Sequence, residues 1–247
     1  MNIIELSNIT KTFGSVMAVN DLSLSVPKGS IYGFIGPNGS GKTTTIRMIM
    51  KISYPDKGSL RIDGKELNGQ RPESIGYLPE DRLNQGLFIE QSISNNIIVT
   101  ILRKLLNRFG LVSKVKKEQS VRKWVEELTI KTPSVEAPAQ SLSGGNQQRL
   151  VAAKWLATQP KVFILDGPTI GVDIASKSNI HKIIRDLAES GMGIIIISDE
   201  IPEILQNCNK VLVVSRGKII KEISDVAGVT EEILFSIMSR KEFHEAV

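Results

Sequence analysis

The residues best equipped for chemistry lie in Gly36-Pro37-Asn38-Gly39-Ser40-Gly41-Lys42-Thr43, followed by Thr44. Their spacing fits G-x-x-x-x-G-K-[ST], a loop whose backbone N–H groups wrap around phosphate oxygens. The glycines let the amides turn inward, and the N-terminus of a following helix adds positive potential. Lys42 is placed to reach the β- and γ-phosphates of a nucleotide, and the Thr43 hydroxyl to ligate Mg²⁺. The competing explanation, a glycine-rich turn with a chance lysine, leaves the flanks unexplained. Ser30-Ile31-Tyr32-Gly33-Phe34-Ile35 reads as a buried strand, and Ile46, Ile49 and Met50 recur at helical spacing after the loop.

Two further stretches carry chemistry. Asp166 ends the apolar run Lys161-Val162-Phe163-Ile164-Leu165, more than a hundred residues after the loop. That is the place for a carboxylate that holds Mg²⁺. A guanine-reading Asn-Lys-x-Asp does not follow, since Asn209-Lys210-Val211-Leu212 lacks the aspartate. Leu142-Ser143-Gly144-Gly145-Asn146-Gln147-Gln148 sets a serine and two glycines at the approach to a helix, a second anion-binding N-terminus. One phosphate loop and two phosphate-gripping helix starts in one chain are most simply reconciled by a dimer, in which the second start grips the partner's nucleotide.

The elements that must position these residues are legible in outline. Residues 3–9 and 21–26 alternate apolar and polar and predict half-exposed, antiparallel strands, with Lys11-Thr12-Phe13-Gly14 between them. Residues 60–64 and 74–82 predict strands running into turns. Residues 84–140 lack strand signals and place Ile97, Ile98, Ile101, Leu102, Leu105 and Leu106 at helical spacing, as they do Val121, Trp124, Val125 and Leu128, so they predict a helical insert. A helix is predicted from 150 to 158, a buried strand over 161–166, an amphipathic helix over 175–190 and an apolar strand over 193–197. Two short strands flank Arg216-Gly217, a helix lies near 230–239, and the last eight residues are expected to be loose. Apolar strands alternating with helices predict an α/β fold with a mostly parallel core sheet.

Composition supports a globular chain. Of 247 residues, 41% are hydrophobic and 23% charged, enough for a sizeable core without disulfides. The single cysteine, Cys208, has no internal partner, which is in keeping with a reducing compartment. Met1-Asn2-Ile3-Ile4-Glu5 lacks a signal-peptide pattern, and no apolar run reaches the ~18 residues of a membrane span. The net charge of +5 would suit nucleic acid or an anionic membrane, but a nucleotide-binding protein needs neither to explain it. Much of the excess lies in a basic cluster that includes Arg103, Lys104, Arg108, Lys114, Lys116 and Lys117. That cluster reads as a solvated helix face or as a surface meeting a membrane protein or lipid headgroups.

With these motifs the chain resembles an ATP-binding subunit of an ABC transporter along nearly its whole length. Residues 142–148 match the family's signature in the form found in importers of simple sugars. From about residue 75 the likeness is to the second nucleotide-binding domain of those importers, through Leu78-Pro79-Glu80-Asp81-Arg82, Gly171-Val172-Asp173 and Ser198-Asp199-Glu200-Ile201-Pro202-Glu203. The first 70 residues, with a full phosphate loop, look more like a general ABC subunit. The resemblance implies a P-loop NTPase of ABC type with an N-terminal antiparallel β subdomain and a helical subdomain insert. It implies one nucleotide-binding domain over 1–247, with an ATP-binding core of 1–83 and 158–240 and a helical, signature-bearing part of 84–157. ATP is expected on residues 36–44, with Phe13 stacking on adenine unless it is an ordinary core or turn aromatic, and Mg²⁺ on Thr43 and Asp166. Ser143, Gly144, Gly145 and Gln147 are expected to reach the ATP of a second, like or unlike, ATP-binding domain. Permease subunits, and indirectly a substrate-binding protein, complete the assembly at the cytoplasmic face of the membrane. Nucleic acid is not expected as a partner.

Three positions depart from the family. Gly167 stands where a glutamate polarises the attacking water, Asp199 where a histidine senses the γ-phosphate, and Glu80 where a glutamine is usual. Glycine polarises nothing, an aspartate repels phosphate, and Glu80 can reach Mg²⁺ through water but donates no amide hydrogen bond. A site that binds ATP firmly and hydrolyses it slowly is therefore expected, completed in activity by a paired domain. The alternatives are a regulatory or dimerising nucleotide-binding subunit with little turnover, and a soluble ABC ATPase outside transport.

Overall fold

A computed structural model describes residues 1–66 and 74–239. The expectation of loose last residues lies outside the described residues. In chain order the elements are β1 (Asn2–Phe13), β2 (Val16–Pro27), β3 (Ile31–Ile35), α1 (Lys42–Ile49), β4 (Lys57–Ile62), β5 (Lys65–Glu66) and β6 (Ile75–Leu78). They continue as α2 (Ile93–Ile98), α3 (Lys114–Glu127), α4 (Gly144–Leu156), β7 (Val162–Asp166), α5 (Ile174–Glu189), β8 (Gly193–Ile197), α6 (Ile201–Asn207), β9 (Lys210–Ser215), β10 (Lys218–Ile223) and α7 (Glu231–Ser239). The chain forms two compact units. The first is Met1–Ile75, Lys161–Ile164 and Ile184–Val247, and the second is Gly76–Pro160 and Leu165–Ile183.

In the first unit β1 and β2 form an antiparallel hairpin, and β1 pairs on its other side with β4, giving the sheet order β2-β1-β4-β5. Alternation sets the buried face. Leu6 lies opposite Leu24 and Leu60, and Ile4 opposite Val26 and Ile62, all of them buried. Each such side chain removed from water stabilises the sheet by about 1.5–3 kcal/mol before entropy is counted. The sequence places residues 11–14 between the strands; the structure runs β1 on through Phe13 and closes the hairpin at Gly14-Ser15.

The second sheet has the order β10-β9-β3-β8-β7-β6, with β3 parallel to both β8 and β9 and β10 antiparallel to β9. All residues of β3, β7 and β8 are buried, the reason their sequences carry apolar runs rather than alternation. The β9–β10 hairpin turns at Arg216-Gly217, both at positive φ. Because β3 and β8 are parallel neighbours, the segments leaving their C-terminal ends, residues 36–41 and 198–200, emerge side by side. α6, which no periodicity announces, lies on β3. A Cβ at Gly33 would meet Cys208 Sγ at 2.8 Å and Ile204 Cγ2 at 2.9 Å. Burial, and then the Glu203 charge, push the Cys208 thiol far up, so it is unreactive in the fold.

The second unit holds the helical insert. Ser92 caps α2, its Oγ accepting from Asn95 N at 3.1 Å, and α2 tightens into a 3₁₀ stretch, Val99–Leu105. The buried Asn96 ties α2 to the preceding loop, donating to Phe88 O and accepting from Phe88 N, both at 2.9 Å. The sequence starts a helix at 150; α4 begins six residues earlier, at Gly144, so the signature glycines are themselves helical. No helix among the described residues is long and apolar enough to cross a membrane.

Candidate nucleotide site

The phosphate loop joins β3 to α1 in the first unit, as its sequence predicts. Pro37, Asn38 and Gly39 form its exposed crest, while Gly36, Ser40 and Gly41 are buried. Neighbouring backbone requires two of its glycines. A Cβ at Gly36 would lie 2.0 Å from Val214 O, and one at Gly41, whose φ is +104°, would lie 2.4 Å from Ala18 O. The loop is held by its own turn (Ser40 N to Pro37 O, 3.1 Å) and by Gly217 N, which donates to Ser40 O at 2.8 Å.

Gly41 stands at the N-cap of α1 without a side chain to cap it, so the amides of Lys42, Thr43 and Thr44 have no partner within the helix. The Ser40 hydroxyl is buried and has no hydrogen-bond partner among the described residues. The Thr43 side chain is exposed and that of Thr44 half-buried. Convergent amides, a free hydroxyl and a lysine form a donor set that fits a polyphosphate. The Lys42 ammonium donates to Gly36 O and, at 3.1 Å, to Pro37 O, and it lies 3.3 Å from Asp199 Oδ1. Lys42 is 7% exposed and Asp199 66%, so the lysine is buried in the loop and the aspartate meets it from the solvent side. The sequence places Asp199 as a repulsive group near a phosphate; the structure shows it paired with the cation that a phosphate would engage.

Phe13 lies at the end of β1 in the same unit, 53% exposed, with Val16 opposite it and Lys11 Nζ 5.3 Å from its ring centre. It is no core aromatic. An exposed ring on a hairpin tip, beside the similarly exposed Val16 and Met17, can cover one face of a planar base.

The remaining candidates lie in the second unit. Asp166 is buried at the end of β7, and Tyr77 on β6 donates to its Oδ2 at 3.3 Å. Among the described residues no cluster of three or more His, Cys, Asp or Glu could hold a metal. A phosphate-bound Mg²⁺ asks for less, a carboxylate and a hydroxyl beside the nucleotide's own oxygens, and Asp166 and Thr43 are of those types. Gly167 follows at φ +57°, opening a turn closed by Ile170 N to Gly167 O at 3.1 Å. A Cβ at this position would meet Ile170 Cδ1 at 2.4 Å and Glu80 Cγ at 3.5 Å. The exposed Glu80 therefore stands beside the place that lacks a side chain.

Ser143 is the exposed N-cap of α4 and makes no side-chain cap, its Oγ accepting instead from Asn146 Nδ2 at 3.1 Å. A Cβ at Gly144 would meet Gly171 O at 2.7 Å, and one at Gly145 would meet Ser176 Oγ at 2.7 Å. Both signature glycines are thus required by packing inside this chain. Gln147 is buried, and its Oε1 accepts from Arg82 Nε at 3.3 Å. The same guanidinium donates to Ile170 O at 2.8 Å and Gly171 O at 3.4 Å. Arg82 so binds the turn after Asp166 to the start of α4, a role no spacing in the sequence shows. Asp173 opens α5, and the Ser176 backbone N–H, then its hydroxyl, hold the Asp173 carboxyl below its usual range.

The ABC transporter family profile matches residues 19–170, more than half of the chain. The chain belongs to the ABC transporter family. Among solved structures, a nucleotide-free ATP-binding cassette from an ABC transporter is 26% identical, with a TM-score of 0.78 over 97% of this chain and 96% of that one. The fold of cbiO1 from Clostridium perfringens superposes with a TM-score of 0.80 at 23% identity, covering 97% and 95% of the two chains. Among curated relatives, a putative ribose/galactose/methyl galactoside import ATP-binding protein of Agrobacterium fabrum is 38% identical over 87% of this chain and 44% of its own length. A ribose import ATP-binding protein, RbsA, of Chelativorans is 40% identical over 83% of this chain and 41% of its own. The chain spans less than half the length of these curated relatives. As an ABC cassette it has the α/β fold, the antiparallel N-terminal sheet and the mostly parallel core sheet that its sequence implies.

Proposed function

We infer that this cassette binds Mg-ATP on residues 36–44 and serves as the ATP-binding subunit of an importer of a simple sugar. The observation that carries the binding half is the phosphate loop, with three unpartnered helix amides, a buried free hydroxyl and a buried lysine on one short segment. Its relatives' names carry the import half, and at 34–40% identity they agree on ribose or galactose-type sugars. Phe13 supplies the base platform, and Thr43 and Asp166 the oxygens for Mg²⁺. Residues 1–83 and 158–240 act as the ATP-binding core, and residues 84–157 as the part that meets a permease.

Gly167 favours a site that holds more than it hydrolyses. With no side chain there, the charge that orients attacking water must come from elsewhere, and Glu80 is the carboxylate placed beside the gap. Removing one preorganised electrostatic group from an active site costs about 10²–10³ in rate. Ser143, Gly144, Gly145 and Gln147 complete the nucleotide site of a second cassette, whose own glutamate would supply the rapid turnover. The assembly then sits peripherally at the cytoplasmic face, beneath the permease subunits that receive sugar from a binding protein. A regulatory subunit with little turnover is the second reading, and Gly167 is what supports it. Titration with a fluorescent ATP analogue tests the binding half. The purified chain is expected to bind it in Mg²⁺, and Lys42→Ala to weaken binding at least about tenfold, the cost of ~1.4 kcal/mol of a charge-assisted bond. Equal affinity in the two proteins contradicts the assignment.

A further inference from the structure

We propose that the loop and helix start spanning residues 102–117 form an interfacial anchor that lies on an anionic lipid surface. The setting, beside a membrane permease, rests on the import reading; the anchor itself rests on what this segment exposes. Phe109 is 72% exposed, Leu111 66% and Val115 62%, with Val112 beside them. These four apolar side chains fall within seven residues of one another, on the second unit, and no core claims them. The opposite side of the segment is fixed, since Ile101 and Leu105 are buried.

The tip is built rather than loose. Ser113 N donates to Leu105 O at 2.9 Å and Asn107 N to Leu111 O at 2.8 Å, closing a small hairpin. Asn107 Oδ1 then accepts from Phe109 N at 2.9 Å and Leu111 N at 3.1 Å, and Gly110 turns at φ +75°. The backbone that carries Phe109 and Leu111 is therefore already ordered before they insert.

Charge names the occupant. Between Glu90 and Glu118 the sequence has six basic residues and no acidic one. Arg103 and Arg108 are exposed and pair with no carboxylate among the described residues, and the Arg108 guanidinium lies 4.7 Å from the Phe109 ring centre, where it would sit at headgroup level. Apolar tips among unneutralised cations match the boundary between acyl chains and anionic headgroups. A permease would be met by other residues of 84–157, because cytoplasmic loops of membrane proteins carry excess Lys and Arg themselves and would repel this stretch, as would a second copy of it. Nucleic acid answers the charge but gives Leu111, Val112 and Val115 nothing to enter.

Vesicle co-sedimentation of the full chain, without nucleotide or permease, tests the anchor. Vesicles with about a third phosphatidylglycerol are expected to bind the protein, phosphatidylcholine vesicles to bind it at least about tenfold more weakly, and 0.5 M salt to release it. Arg103→Gln with Arg108→Gln should lower binding about five-fold per residue. Phe109→Ser with Leu111→Ser should lower it at least about tenfold while leaving the melting temperature within a few degrees, because both side chains are exposed. Absence of binding to anionic vesicles overturns the proposal, as does binding that neither pair of substitutions changes. So does tighter binding to a single-stranded RNA oligonucleotide that only the arginine changes affect. The ATP-analogue titration is independent of this measurement, so failure of one reading is distinguishable from failure of the other.

Discussion

Lys42 has three negative partners within reach, two carbonyls of its own loop and the Asp199 carboxylate at 3.3 Å. An incoming phosphate must share or displace the last of them. Asp199 is largely exposed, so the pair is worth only about 0.2–1 kcal/mol after solvent screening. Asp199→Ala is therefore expected to tighten ATP-analogue binding by up to about five-fold, read in the same titration; weaker binding would mean that Asp199 helps to hold nucleotide. Gly167 sets a second expectation. Restoring glutamate there by Gly167→Glu should leave steady-state ATPase activity unrescued. A non-glycine residue at φ +57° costs about 1–2 kcal/mol, and the new carboxylate would meet Ile170 and the like charge of Glu80. Adding Ile170→Ala and Glu80→Gln should recover part of the rate. Full rescue by Gly167→Glu alone would show that the turn gives way freely.

Arg82 makes the clearest prediction for an element. Its guanidinium ties α4 to the turn at 167–171 through Gln147 Oε1, Ile170 O and Gly171 O. Arg82→Ala should cost about 1–3 kcal/mol in thermal or denaturant unfolding, and Arg82→Lys should recover only part of it, since an ammonium cannot span the fork. The cap on α5 adds a pH dependence. The Asp173 carboxyl lies below its ordinary 3.8, so its contribution is complete above that value and is lost as pH falls through the lower folded value. Asp173→Ala should accordingly flatten the acid side of the stability profile. The core strands were legible because runs such as Gly193–Ile197 are apolar on both faces. The start of α4 was not, because Gly144 and Gly145 are poor helix formers kept in the helix by the close approach of Gly171 and Ser176. α6 was hidden by its seven residues and its proline, and Arg82 by the distance in sequence to everything it binds.

At the scale of the whole chain, the proposed function rests on two segments, the phosphate loop of residues 36–44 and the start of α4 with its exposed Ser143. The motifs of both were readable, because each depends on short spacings. The substitutions at 80, 167 and 199 were readable as identities, but their meaning depended on the fold: Asp199 pairs with Lys42, and Glu80 stands next to the gap at Gly167. Firm binding with slow chemistry is the claim that ties these observations together. Single-turnover hydrolysis of Mg-ATP prebound to the purified chain tests it most directly, beside a cassette that carries glutamate after its strand aspartate. Saturable binding with a hydrolysis rate about 10²–10³-fold below that cassette is the predicted result. Hydrolysis at an equal rate by the chain alone would contradict the account.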